Sequence, residues 1–545
     1  MKTFEKVPSG SLVADLLKGR VRLDLITPFF RFSPGQISQL RPLIDKIRAG
    51  DPSADSLKQL GSMGLLQGPE SWSPPVLARV LRELGAHQPS MALRLIVHLA
   101  LGTRLVERFG RTEQSSQLRE SQEALCAFGL TEASPGSDLS RIQTYAEKTE
   151  DGFVLSGVKH WVTNGREATH FIVLARTTVP RSGDKPRLTA FLVPRSERVV
   201  VTPLPSDVLK DAGVSEVRFH DVMLEPAQIL GQQTKGFVVV MRGLSEGRAL
   251  IAAAVLGGLI RAFNDTVGWI NQRRAFGRPV GRFPSVQAAI AGMSADVFAL
   301  ESLVFSLVDR TGNDADAVEL GALRLAASMT AARVLDSARQ LHGAAAFVGD
   351  FSASRRWADV RALCLLDGSD HALQSFLVLE STRQVRQRLI DLHEARDPLV
   401  RVDAAAGQLW DRGSAEWGRL RGAPGDERVV GQLPHLALRL RKSLHQLIDT
   451  HGREFVEKQH AHRRLAQVVA DLCLWSAVAA RVSDAERRLG EVGSRRMRNV
   501  AAVWTERARI RVEGQLRLLE ENNDDNSDAV ARLVYGDGGY GFDVD

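Results

Sequence analysis

Cysteine is scarce. The 545 residues hold three, Cys126, Cys364 and Cys473, far apart and odd in number. Neither a disulfide framework nor a CxxC metal site can be assembled from them, and a reducing, cytoplasmic compartment is expected. Also missing is an apolar leader, since the start MKTFEKVPSGSLVADLLKGR has no hydrophobic stretch. The longest apolar run, Ala249 to Ile260, is shorter than the ~18 residues of a spanning helix, so neither secretion nor membrane spanning is expected. Charge runs are absent too: the formal net charge is +7, carried by Arg scattered among acids. A nucleic-acid partner, which would cluster the cations on one face, is not expected. No H-x-x-x-H pair and no repeat of fixed period occurs, which sets aside the helical zinc motif and solenoids and leaves no metal expected. What is present, 44% hydrophobic and 25% charged residues, suits several packed cores, about three or four at ~150 residues each.

Texture divides the chain. Residues 1–127 read as a helical domain, with apolar residues at spacings of three and four in PPVLARVLRELGA and MALRLIVHLALGTRLVERFG. Residues 128–230 change to short β-branched runs between Gly, Asn, Asp and Pro, a compact all-β insert. Val217 and Phe219 alternate there with Glu216, Arg218 and His220, the period of a half-buried strand. Residues 231–396 return to long helices of bundle type, 397–434 form a polar linker, and 435–520 form a further helical block. The tail, 521–545, carries seven acids and one Arg and is expected to fray.

Two segments could carry chemistry. Leu130-Thr131-Glu132-Ala133-Ser134-Pro135-Gly136-Ser137-Asp138 offers hydroxyls and backbone N–H groups at the helix-to-strand boundary; its bland reading is a turn joining two domains. Trp161-Val162-Thr163-Asn164-Gly165 places a Trp and a Thr on one face of a strand that ends in an Asn-Gly hairpin turn. That pair is either a core Trp beside a partly exposed Thr, or a flank for a flat, polar-edged ring such as a flavin. His160, His220 and His342 read as strand or helix-end residues, and His460 and His462, two apart, as part of a solvated helix surface.

Together these segments resemble the acyl-CoA dehydrogenase family, in which TEPxxGSD and WITN carry the flavin contacts. FHDVMLEPAQILG, RRAFGRPVGRFPSVQ and ARQLHGAAAFVGD are similar to three further family stretches in family order, over residues 35 to 390. EKQHAHRRLAQVVADLCLWSAVAARVSDAERRLGEVG is similar to the C-terminal helical extension of the very-long-chain branch. The resemblance implies a mainly α fold: a helical domain, a central β-barrel, a helical bundle and an added C-terminal helical domain.

It also implies FAD and a set of site residues. Thr131 should hydrogen-bond the flavin, Trp161 cover one ring face, and Thr163 reach the nitrogen that accepts hydride. Ser137 should sit near both flavin and thioester. Arg273 corresponds to the Arg on the FAD pyrophosphate, where a planar fork suits phosphate oxygens. Phe128, Leu130, Phe276, Ser369 and His371 fall among the implied cofactor contacts. Gln340 and Gly343 should reach the same cofactor from a neighbouring subunit, so a homodimer or homotetramer is expected. Arg248 and Gly368 are placed beside the thioester.

The implied reaction is α,β-dehydrogenation of an acyl thioester, on CoA or a carrier protein, with electrons passing to an electron-transfer flavoprotein or another acceptor. It needs a carboxylate base. Asp367 occupies the place of the family Glu and is one methylene shorter, roughly 1.5 Å. A second branch places its base at the position of Gly247; the neighbouring Glu246, turned ~100° on a helix, ranks below Asp367. Nitroalkane oxidases use Asp at the base position, but their paired Arg is Gln374 here. The second Gly of the family's Q-x-x-G-G element is Ala344, and the usual Tyr nearby is Phe347. The short acid motivates a flavin oxidase or monooxygenase as an alternative, and the Asp367 and Ala344 changes a non-catalytic partner subunit. The Arg-rich extension could also lie on an anionic membrane surface, against the commoner outcome of a solvated bundle face.

Overall fold

The computed structural model describes residues 10–541 except 28, 51–55, 67–71, 122, 135, 137, 178–186, 309, 311–316, 349–352, 384 and 388–426. Most of the expected 397–434 linker therefore lies outside the described residues.

Among the described residues seven α-helices come first: α1 Leu12–Leu17, α2 Pro34–Ala49, α3 Ser56–Ser62, α4 Pro74–His87, α5 Pro89–His98, α6 Arg104–Phe109 and α7 Thr112–Glu120. Local chemistry sets their starts. Ser33 and Gln36 form a reciprocal capping box on α2, and Pro opens α2, α4 and α5. Val76, Leu77, Val80, Leu81 and Leu84 give α4 one buried stripe.

Strands follow: β1 Cys126–Gly129, β2 Tyr145–Lys148, β3 Phe153–Val162, β4 His170–Arg176, β5 Leu188–Pro194, β6 Val199–Pro203, β7 Ser215–Leu224 and β8 Ile229–Leu230. They form one eight-stranded sheet in the order β6-β7-β3-β2-β4-β5-β8, with β1 beside β4. The two ends of that path are not paired with each other among the described residues, so the described sheet is open where a barrel was expected. Strand β4 is apolar on both faces for a reason. Phe171, Val173 and Ala175 enter the core of the sheet, while Ile172 and Leu174 pack under the helices. The expected hairpin at Asn164-Gly165 is absent: β3 pairs with β2 and β7, and β4 with β1, β2 and β5, so the turn passes between non-adjacent strands.

The bundle consists of α8 Gly236–Gln272, α9 Pro284–Val308, α10 Ala317–His342, α11 Ala353–Leu363 and α12 Asp370–Ser381, with the small ribbon β9 Arg274–Ala275 and β10 Arg278–Pro279 after α8. Helices α4 and α8 touch backbone to backbone. A Cβ on Gly257 would lie 1.8 Å from the Arg82 carbonyl oxygen, so only glycine permits this crossing.

The C-terminal block has α13 Glu427–Val430, α14 Leu433–His451, α15 Gln459–Glu520 and α16 Asp524–Asp537. Helix α15 is two arms hinged at Gly490, whose φ is +67°. The arms are tied by an Arg511–Asp471 fork at 2.9 and 3.0 Å and an edge-on Trp475–Trp504 contact. The tail does not simply fray: α16 forms within it, with no buried residue, held by Arg464 on Asp524. His462 is also unlike its expected solvated setting. It is fully buried, with Nε2 2.8 Å from the Phe455 carbonyl oxygen.

Among the described residues four stretches, Pro89–Phe109, Gly236–Gln272, Pro284–Val308 and Gln459–Glu520, are long and apolar enough to cross a membrane by length and composition, which a search for unbroken apolar runs overlooks. Their most apolar windows are 83, 67, 56 and 89% buried inside the protein, so this apolarity is largely used in packing.

Candidate active site

The residues singled out in the sequence fall into three groups. The first surrounds the end of β3. Thr131 and Leu130 are held to that strand by their carbonyl oxygens, which accept from the His160 N–H at 2.9 Å and Lys159 Nζ at 3.1 Å. Lys159 is fully buried and pairs with Glu132 at 2.7 Å. Glu132 also accepts from the backbone N–H groups of Gln143, at 2.7 Å, and Thr144, at 3.0 Å. Burial alone would raise the Glu132 carboxyl; Lys159 and these donors outweigh it and hold the group below its ordinary value. Burial pushes the Lys159 ammonium down to about 8, and Glu132 opposes that fall.

Trp161 and Thr163 do not share one regular face. A register shift between Lys159 and Val162, with φ +54° at Trp161, breaks the alternation. The Trp161 side chain is left 60% exposed while Thr163 is buried. A bulky residue in the left-handed region is strained, and such residues gather at functional sites. Asn164 is fully buried and serves the turn: it donates to the carbonyl oxygens of Arg94 and Cys126, both at 3.0 Å, and accepts from Arg94 Nε at 3.1 Å. Phe128 is half-buried on β1, and Ser137 lies outside the described residues.

Strand β1 is itself set by His98. The ring donates from Nε2 to the Leu66 carbonyl oxygen at 2.9 Å, so Nδ1 accepts the Cys126 N–H at 3.1 Å. Burial lowers His98 to about 4. The unfolded chain therefore gains a proton between about pH 6.5 and 4 that the folded protein refuses. The associated stability is complete above about pH 6.5 and is lost as pH falls toward 4, roughly 3 kcal/mol in all. The melting temperature of His98→Asn, which keeps an acceptor near Nδ1, should fall less steeply across that window than that of the wild type; parallel curves would refute this origin.

The second group is the Arg248–Asp367 ion pair, brought together from α8 and the turn before α12. Both side chains are only 5% exposed, and Arg248 Nε donates to the Asp367 carboxylate. Asp367 and Gly368 lie consecutively in the left-handed region, at φ +67° and +96°. Burial raises the Asp367 carboxyl; Arg248 and, less strongly, Arg324 pull it back without cancelling the rise. Arg248 Nη1 is buried with no hydrogen-bond partner among the described residues, and the guanidinium lies 5.0 Å from the centre of the Phe376 ring. Ser369 caps α12 through the Ala372 N–H, and His371 is exposed in its first turn. Glu246 faces elsewhere, toward Arg242 at 3.0 Å, Arg108 at 3.2 Å and Arg104 at 4.0 Å.

The third group lies at the far ends of α8 and α10, joined by the stacked rings of Trp269 and His342. Arg273, Phe276, Gln340 and Gly343 all face outward there, and Phe276 is 95% exposed at φ +48°. Among the described residues, no group of three or more His, Cys, Asp or Glu side chains could hold a metal.

Residues 127–222 match the family model of the acyl-CoA dehydrogenase middle domain, and residues 234–378 that of the C-terminal domain. The 3-(aryl)acrylate reductase of Clostridium sporogenes is 30% identical over 256 residues, covering 46% of this chain and 67% of its own. The chain belongs to the acyl-CoA dehydrogenase family. This family member is also 25% identical over 565 residues to the very long-chain specific acyl-CoA dehydrogenase of Rattus norvegicus, covering 95% of this chain and 85% of that one. Among solved structures, the acyl-CoA dehydrogenase complexed with FAD from Bacillus anthracis superposes with a TM-score of 0.81 at 20% identity. That match covers 97% of this chain and 95% of the other. It extends the shared fold through the C-terminal helices.

Proposed function

We propose that the chain is an FAD-dependent dehydrogenase of acyl thioesters, with Asp367 as its base. The observation that carries this reading is a carboxylate, buried and pinned in a left-handed turn, at the position where the family resemblance requires a proton acceptor. The residues fit an FAD. Trp161 presents an uncovered indole held in a strained conformation, the buried Thr163 follows it, and backbone at Gly136, Gly277 and Gly343 has open space where a Cβ would stand. Trp161 and Thr163 would hold the ring, and Arg273 the pyrophosphate. When bound, FAD accepts the hydride that leaves the substrate β-carbon.

The chain's own residues supply the rest. Asp367 takes the α-proton on a carboxylate oxygen, and burial makes that oxygen a stronger base than an exposed Asp. Arg248 pulls the carboxyl back toward its ionised form against burial and must loosen its hold for proton transfer. Gln340 and Gly343, outward on one chain, would complete the cofactor site of a second copy in a homodimer or homotetramer. An electron-transfer flavoprotein is the proposed acceptor.

An anaerobic panel of acyl-CoA and acyl-carrier-protein thioesters should bleach the flavin with at least one member. No bleaching by any of them would remove the reading. Rapid reoxidation by air with peroxide release would replace it with an oxidase on the same fold, which the shortened acid favours.

A further inference from the structure

Asp367 sits in a turn that should not hold its shape unaided. Two consecutive residues there have positive φ, and the first carries a Cβ, which costs roughly 1–2 kcal/mol in that region. Capping by Ser369 begins only after the turn, and on the entry side the backbone bonds stop at Leu366, whose N–H meets the Leu363 carbonyl oxygen at 3.4 Å. The missing support comes from α10.

Arg324 is 1% exposed and reaches both sides of the turn. Nη2 donates to the Leu366 carbonyl oxygen at 3.2 Å, one residue before Asp367, and Nη1 donates to Asp370 at 3.4 Å, three residues after it. One helical turn further along α10, Ser328 Oγ donates to the other Asp370 oxygen at 2.7 Å. Arg361 on α11 in turn donates to the Ser328 carbonyl oxygen at 3.1 Å. Arg324 Nε is buried without a hydrogen-bond partner among the described residues.

We propose that Arg324 is the positioning residue of the base: its two-sided grip on Leu366 and Asp370 fixes the turn that presents the Asp367 carboxylate beside Arg248. This rests on the dehydrogenase reading and adds a residue to it. The charged groups facing Asp367 are Arg248 from α8 and Arg324 from α10; Arg324 in turn has Asp370 on α12 as its partner and, with Asp370 and Arg361 on α11, acts on the buried Cys364. Loss of the Arg324 cation therefore leaves a single guanidinium to oppose burial, and the carboxyl should rise further.

The test compares Arg324→Met, Arg324→Lys and Ser328→Ala holoenzymes with the wild type. Arg324→Met should slow flavin reduction at saturating thioester about a hundredfold, the scale of a 1 Å misplacement, with KM within about threefold. The acid limb of its pH–rate profile should move to higher pH. Arg324→Lys keeps the cation but not the fork, so its acid limb should stay near that of the wild type while the rate falls about tenfold. Ser328→Ala, the milder change should Arg324→Met fail to fold, should lower the rate about threefold with KM unchanged.

Independently of turnover, infrared titration of the Asp367 carboxyl in the substrate-free holoenzyme, assigned with Asp367→Asn, should show its midpoint raised in Arg324→Met. A wild-type rate and acid limb in Arg324→Met, or rates that fall only in step with FAD content in all three variants, would overturn the proposal. If the wild type is bleached by no thioester, the dehydrogenase reading fails by itself. The infrared midpoint then decides alone whether Arg324 governs Asp367.

Discussion

Asp367→Asn should lose about a hundredfold to ten-thousandfold in flavin reduction by whichever thioester bleaches the wild type, with FAD content and fold retained. The size follows from the chemistry: an amide cannot take up the α-proton, and a placed general base contributes roughly 10²–10⁴. Retention of the fold is expected because the Asn carbonyl oxygen can still accept from Arg248 Nε, so that guanidinium loses its counter-charge but keeps its hydrogen bond. Asp367→Glu should fall between the two. It keeps a carboxylate but moves it by about 1.5 Å, and the Arg248 partner is placed for the shorter acid.

The pH dependence has a definite sign. Only ionised Asp367 can act as base, and burial raises its carboxyl above the usual 3.8, so the wild-type rate should decline with falling pH at values higher than an exposed Asp would give. Glu246→Gln is the control. Its carboxylate faces three arginines across another surface of α8, and its removal should leave the chemical step within a few-fold of the wild type. If Asp367→Asn keeps more than a tenth of the rate, the base lies elsewhere.

How much of this is visible in the sequence depends on the range of the interaction. Periodicity reports which face an element buries, and the alternation of Val217 and Phe219 with Glu216, Arg218 and His220 is present in β7 as read. The same rule misleads at Trp161, because a bulge and a positive φ are backbone events that no side-chain pattern announces. It also misleads at Asn164-Gly165. The dipeptide marks a turn, but whether a turn makes a hairpin depends on which strands pair, and that is decided by the whole sheet. Tail composition argued for fraying, yet Arg464 on Asp524, 60 residues away, and His460 on Asp528, at 3.0 Å, seat α16. Arg248 and Asp367 are 119 residues apart, and only the family resemblance set them near one another beforehand. Some long-range contacts did leave a trace. Arg324 stands alone in the apolar run GALRLAASM, and Lys159 occupies an inward strand position in step with Phe153 and Leu155. A long cation at such a place demands a buried acid, and Glu132 is the acid it meets.

That last pair is where a substitution outside the reacting groups should be most costly. Lys159→Met removes one member of a buried ion pair and strands the other, which typically costs about 3–5 kcal/mol. The loss should be local before it is global, since Lys159 also donates to the Leu130 carbonyl oxygen and so anchors the stretch leading to Thr131. Amide exchange at Gln143 and Thr144, whose N–H groups Glu132 accepts, and at His160, bound to Thr131, should therefore speed up more than exchange in the α8–α10 bundle. FAD should dissociate more readily from the same variant, because Trp161 and Thr163 follow His160 on the strand that the pair steadies. A single cavity effect would predict otherwise: Met fills much of the lysine stem, so packing alone would leave exchange nearly unchanged. Combining it with Glu132→Gln separates the two accounts. With the stranded charge gone, the double variant should regain part of the protection and part of the FAD affinity, since Gln can still accept a backbone N–H. Additive loss in the double variant would mean that the loop is held by shape, and that the charges at Glu132 and Lys159 are incidental to it.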